Sequence, residues 1–275
     1  MPRLGVSARH GLRRPARLAV DAAGYGLGAL LGSVAGGRGG KAVHPDGVVY
    51  GARLVVDGSP DAPQRSTLLS RPGEHRALVR FSRSIGVPRP VPDLLGFSLR
   101  VIDAYGPARH QDVMMVTSVD LPVLHHLFVP ATDVQQRVYS SSLPFRAGEG
   151  KFLIGVVPDA TSPRPSGGDE FDRLARAAAT GRLVFGLAVA PLGGRFRRVG
   201  RLHIGERLPQ SLDALRFNPF NSAGGLEPVG LLNRLRDYAY PFSQAAWGRR
   251  GGGDVAQLDA DEELRRIAPP ATDPA

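Results

Sequence analysis

The apolar positions of the chain fall into two kinds of run. Val48–Val56, Lys151–Val157, Leu183–Ala190 and Arg195–Ile204 are short, β-branched or alternating, which predicts strands. Ala77–Ser84 has the same character. Asp169–Thr180 instead repeats its apolar residues at helical spacing, with Asp169 placed to cap the first turn and Gly181 beyond the last. Pro228–Arg250 carries Leu231, Leu235, Tyr238 and Phe242 at helical spacing, and Pro228 suits a first turn, so a second amphipathic helix is predicted there. Leu121–Phe128 and Leu258–Ile267 predict short helices, and the Pro/Ser/Gly-rich Thr161–Gly168 predicts a loop. Strands spaced along the chain with helices inserted between them predict a barrel with helical decoration, not a parallel sheet.

Composition narrows the chemistry. At 275 residues the chain can bury a core without cross-links, and it contains no cysteine. That excludes a disulfide scaffold, a thiolate nucleophile and any Cys-ligated zinc or haem. The net charge is +10, carried almost wholly by arginine, since Lys41 and Lys151 are the only lysines. The arginines are scattered, no nucleic-acid motif accompanies them, and Trp247 stands alone, so no nucleic-acid partner is expected. An arginine-for-lysine bias with many Gly, Ala and Pro is also what a GC-rich genome encodes. The N-terminal stretch has a basic start and an apolar middle, but Asp21 and a series of glycines interrupt it. It is expected to be an N-terminal arm, residues 1–40, of a cytoplasmic protein, the alternatives being export or contact with a membrane surface. Gly24, Gly26 and Ala29 imitate a dinucleotide loop without a preceding strand, and Gly40-Lys41 ends like a phosphate loop without its other residues. Neither is carried further.

Two stretches hold residues suited to redox-cofactor chemistry. Arg236 and Tyr240 stand four apart in the predicted helix, one above the other on one face. A guanidinium against a phenol favours the phenolate, which is what an anionic oxygen ligand requires. Arg234 and Tyr238 repeat the spacing, so the pair alone does not fix the ligand. His44, in Lys41-Ala42-Val43-His44-Pro45-Asp46-Gly47, directly precedes the first predicted strand. An imidazole there can move a proton near neutral pH. His125 and His126 are adjacent and would not share a helix face, and His10, His75, His110 and His203 have no ligand spacing.

The wider strings resemble the catalase-related haem proteins. Asn233-Arg234-Leu235-Arg236, Tyr240 and Ser243, with Phe217-Asn218-Pro219-Phe220-Asn221 upstream, are similar to the family's proximal segment. Val43-His44 is similar to the pair leading into its first strand, Arg80-Phe81-Ser82 to its Arg-Phe-Ser segment, and Gly96-Phe97-Ser98-Leu99 to a following strand. The resemblance implies an α+β fold, a catalase-like antiparallel β-barrel wrapped by helices, over residues 41–248, with a flexible C-terminal tail at 249–275. It implies haem b, with Tyr240 as iron ligand, Arg236 beside it, and Lys41, Val43 and Arg80 among the haem-binding residues. His44 would be the distal histidine and Ser82 its hydrogen-bond partner. Two positions depart from the family pattern: Lys41 stands where arginine is usual, and the strand Gln111–Ser118 has no asparagine, Thr117 or Ser118 falling at or near its place. Met114 and Met115 are expected to be core residues of that strand. The implied activity is that of a haem-dependent peroxidase or catalase-like oxidoreductase. Its partners would be hydrogen peroxide or an organic hydroperoxide and a small organic electron donor, with homo-oligomerisation left open. The alternatives are a non-enzymatic haem carrier and a lipid-hydroperoxide isomerase.

Overall fold

A computed structural model of the chain describes residues 46–229 and 262–266. Among the described residues ten strands are formed: β1 (Gly47–Val56), β2 (Gly73–Arg83), β3 (Leu95–Val101), β4 (Gln111–Ser118), β5 (Val138–Ser140), β6 (Phe145–Ala147), β7 (Gly150–Pro158), β8 (Val184–Pro191), β9 (Arg197–Arg207) and β10 (Glu227–Pro228). All pair antiparallel. Eight of them, in the order β7-β5-β4-β3-β2-β1-β9-β8, close on themselves through β7 and β8. Closure removes the free strand edges that an open sheet would expose. The short β6 and β10 extend the sheet beside β7.

The two-residue period of each strand divides the barrel into two faces. Phe81, Phe97 and Phe185 meet inside it with ring centroids 5.0–5.7 Å apart, and Val79, Leu99, Val113, Met115 and Leu202 fill the same interior. Outward-facing Val49 and Leu78 belong to a second cluster with Leu212, Leu215 and Phe217, against which Met114 packs. Met115 is thus interior core, whereas Met114 serves the outer layer. Leu264, in the helical turn at 262–266, joins this outer cluster, so part of the segment expected to be a tail contributes to the packing.

Besides the helical turn at 262–266, the described residues form a longer α-helix, α1 (Glu170–Ala179), which matches its predicted ends within a residue. The Asp169 carboxylate accepts from the Phe171 and Asp172 amides, and Asp172 returns a bond to the Asp169 amide, a reciprocal cap. Leu174 and Ala177 enter the interior cluster. Glu170, at its first position, is buried and bonds Arg83 at 2.9 Å. Leu121–Phe128 does not form the expected helix; only Leu124–His126 makes a single 3-10 turn.

Candidate functional site

The outer faces of the first four strands form a wall whose rows are set by the strand register. One row runs Gly47–Ser82–Gly96–Val116; the next runs Val49–Arg80–Ser98–Met114. Directly opposed residues project to the same side. The first row is therefore small and shallow, and the second places a guanidinium beside it. Arg80 is pressed against that floor: a Cβ on Gly47 would lie 2.5 Å from the Arg80 guanidinium carbon and 2.8 Å from the Phe81 carbonyl oxygen, and the fixed backbone contact favours glycine there.

Arg80 is 4% exposed. Its Nε donates to the Asp213 carbonyl at 3.4 Å. Burial pulls its pKa down to about 10, against the raising influence of Asp213 and Asp46. Arg80 is consequently still a cation at neutral pH, held where solvent cannot help it. The Asp213 carboxyl is pushed up by its own burial, which is opposed by its bonds with Arg207 and the Val49 amide.

Arg80 and Ser82, both expected at the site, thus stand on one wall, and Ser82 is buried. Thr117 is not with them. It follows Val113 and Met115 on the inner face of β4, is fully buried, and its hydroxyl accepts the Leu95 amide at 3.1 Å. The expectation that Thr117 replaces the family's asparagine is corrected by this: its oxygen serves a strand-to-strand bond on the other side of the sheet. Ser118 does alternate outward, but its hydroxyl donates to the His125 carbonyl at 3.0 Å. Lys41, Val43, His44, Arg236 and Tyr240 lie outside the described residues.

Sequence reasoning missed the pair that anchors the wall's lower edge. Arg100 bonds Asp112 in bidentate fashion, at 2.8 and 2.7 Å, and both are buried. Arg100 also donates to the Arg216 carbonyl at 2.7 Å and stacks over Phe217, while Asp112 accepts the Asn218 amide at 2.9 Å. The Asp112 amide donates to the Asn221 carbonyl. The segment Phe217–Asn221, singled out as leading toward the proximal stretch, is thus fastened to the barrel through one ion pair. A charged residue at an outward position of each of two consecutive strands was the available signal.

The remaining candidates for ligation are unfavourable. Burial raises the phenol pKa of Tyr50, Tyr105 and Tyr139, the opposite of what a phenolate ligand needs. Burial also favours the neutral forms of His75, His110 and His203, and none of these lies on the Arg80–Ser82 rows. Among the described residues no group of three His, Asp or Glu side chains is gathered as a metal site, and no helix is long and apolar enough to cross a membrane.

No protein-family model matches the chain, and no curated protein matches it in sequence. Solved structures do resemble it in fold. A bacterial catalase aligns at TM-score 0.56 and 12% identity, covering 80% of this chain and 59% of that one. A fungal catalase aligns at 0.56 and 13%, covering 80% and 61%, and catalase A from Saccharomyces cerevisiae at 0.52 and 13%, covering 80% and 62%. This chain spans about three fifths of the length of these catalases, and its closed antiparallel barrel is a catalase-like fold.

Proposed function

We propose that the chain is a haem-dependent oxidoreductase of peroxidase or catalase type, using hydrogen peroxide or an organic hydroperoxide and a small organic donor. The observation that carries this reading is the outer wall of a catalase-like barrel: a floor of small residues beside a buried arginine. The floor suits the close approach of a flat macrocycle. The arginine suits one of its carboxylates, because a buried cation is stabilised by a buried anion. The donor set is therefore compatible with haem b.

In this reading Arg80 and Lys41 hold haem carboxylates, and Val43 lines the face next to His44. Arg236 keeps Tyr240 as the phenolate that ligates iron. Tyr240 is the choice the family resemblance implies; Tyr50, Tyr105 and Tyr139 are held neutral by burial and do not compete with it. Haem supplies the redox chemistry when bound. The chain's own part in peroxide cleavage is proton transfer. His44 takes the proton from one peroxide oxygen and delivers it to the other, so that water is the leaving group. Ser82, bonded to one ring nitrogen of His44, would fix which tautomer faces the peroxide.

The test is the absorption spectrum of the haem-loaded protein before and after peroxide. Tyr240→Phe should lose the tyrosinate-type spectrum or most of the bound haem, and Tyr238→Phe should retain both. The opposite result would move the ligand to Tyr238. Haem that passes reversibly to an acceptor without peroxide turnover would assign the same wall to a carrier. Consumption of a fatty-acid hydroperoxide with no electron donor would assign it to an isomerase.

A further inference from the structure

Between β4 and β5 the chain buries one histidine, His125, and turns its apolar side chains outward. Leu121, Val123, Leu124, Leu127 and Phe128 are 50, 63, 41, 53 and 54% exposed. His125, in their midst, is fully buried, its Nδ1 3.0 Å from the Val119 carbonyl and its Nε2 3.1 Å from the Gly194 carbonyl. The His126 Nδ1 lies 2.5 Å from the Ser142 carbonyl. This inverts the usual arrangement of a surface loop. Its imidazoles are used to fix the backbone, and five apolar side chains are displayed within eight residues, with the exposed His126 between Leu124 and Leu127. Val123 even holds a φ of 70°, a left-handed conformation that is costly for a β-branched residue. Strain of this kind persists where surrounding contacts impose it, and it concentrates at functional surfaces.

The described barrel ends beside this strip. The Val229 amide donates to the Pro144 carbonyl at 2.9 Å, and Glu227–Pro228 pairs with Phe145–Arg146. Pro144 is two residues from Ser142, which holds His126. A chain leaving Val229 reaches the strip within a few residues, at about 3.3–3.6 Å per extended residue. The stretch that leaves is apolar at Leu231, Leu235, Tyr238 and Phe242. On a helical wheel these four fall within roughly 60° of one another, and Arg236 and Tyr240 fall roughly opposite.

We propose that residues 231–242 cover this strip, seating Leu231, Leu235, Tyr238 and Phe242 on Leu121, Val123, Leu124, Leu127 and Phe128. The contact would orient the segment through its apolar stripe and leave Arg236 and Tyr240 on its other side. It requires no haem and does not depend on the peroxidase reading.

The absence of cysteine and the exposure of Leu124 allow a direct test in the full-length protein. A photo-crosslinking p-benzoylphenylalanine is placed at position 124. Equal amounts of ¹⁵N-labelled and unlabelled protein are mixed, irradiated and mapped by mass spectrometry. The expected product joins position 124 to residues 230–250 of the same isotopic label. Products of mixed label would show that a second copy occupies the strip, and no capture of 230–250 would show that the segment lies elsewhere. Either result overturns the proposal. Leu235→Glu should reduce the same-label product about tenfold, because it buries a charge in an apolar contact, whereas Arg236→Glu should not. The crosslink is read without peroxide or haem. Loss of haem binding in Tyr240→Phe with the crosslink intact would therefore separate this proposal from the catalytic one.

Discussion

Arg80 holds a full positive charge where water does not reach it, and the direction of its titration says what that costs. The folded-state pKa is about 10, well below the ordinary guanidinium value. Between those values the unfolded chain binds the extra proton, so stability rises with pH there. The burial penalty is thus fully present at neutral pH and fades only above pH 10. A bound carboxylate would offset it under physiological conditions. If Arg80 and Lys41 both hold haem carboxylates, replacing both with alanine should weaken haem retention by at least about tenfold, on the scale of two charge-assisted contacts. Replacing Arg195 and Arg197 with alanine removes the same charge from exposed positions and should leave retention near that of the parent. Dialysis against apomyoglobin measures both; equal losses would remove Arg80 and Lys41 from the cofactor site.

Among the elements, the ion pair between β3 and β4 is the one to break. Asp112 serves Arg100 twice and the Asn218 amide once, all without solvent. Asp112→Ala leaves a buried guanidinium uncompensated and should cost about 3–5 kcal/mol in urea denaturation. Amide exchange at Asn218 should quicken at the same time, because its acceptor is gone. This pair also marks the limit of what the sequence discloses. The ends of α1 were legible because its capping signals are local: Asp169, Asp172 and Gly181 lie within one short stretch. Of the longer strands, β1, β7, β8 and β9 were legible from their residue pattern and β3 and β4 from the family resemblance, whereas β5, β6 and β10, of three, three and two residues, are too short to show a pattern. Arg100 and Asp112 meet only through the register of two separate strands, which no local pattern encodes. At 121–128 the helical reading failed because the histidines bond to distant carbonyls and Val123 adopts a left-handed backbone. Thr117 was misplaced for a different reason. It was matched by similarity of strings, although the two-residue period of its own strand groups it with Met115, facing inward. Arg80 and Ser82, which flank inward Phe81, obey the same rule and face the outer wall.

At the scale of the whole molecule, barrel closure makes one face a packed aromatic interior and leaves the other as the wall on which the proposed haem would lie. Which reaction that wall favours follows from what β4 contributes to it. Its outward residues are Asp112, Met114, Val116 and Ser118. Asp112 is engaged by Arg100, and the Ser118 hydroxyl donates to a backbone carbonyl. Met114 and Val116 carry no N–H or O–H. The outward face of the strand therefore offers no side-chain amide to orient a second peroxide while it is oxidised, and a misplacement of about 1 Å at that step can cost about 10²-fold. In the proposed mechanism cleavage of the first peroxide relies on His44, and oxidation of an outside donor would ask less of the pocket. If the protein acts as proposed, turnover of an organic donor should exceed oxygen release from peroxide alone by about 10²-fold or more. His44→Ala should slow the first step whichever reductant follows. An oxygen electrode read beside a donor-oxidation assay decides the matter. Oxygen release faster than donor turnover would mean that the second peroxide is oriented by groups other than those of β4, and that the balance lies with catalase.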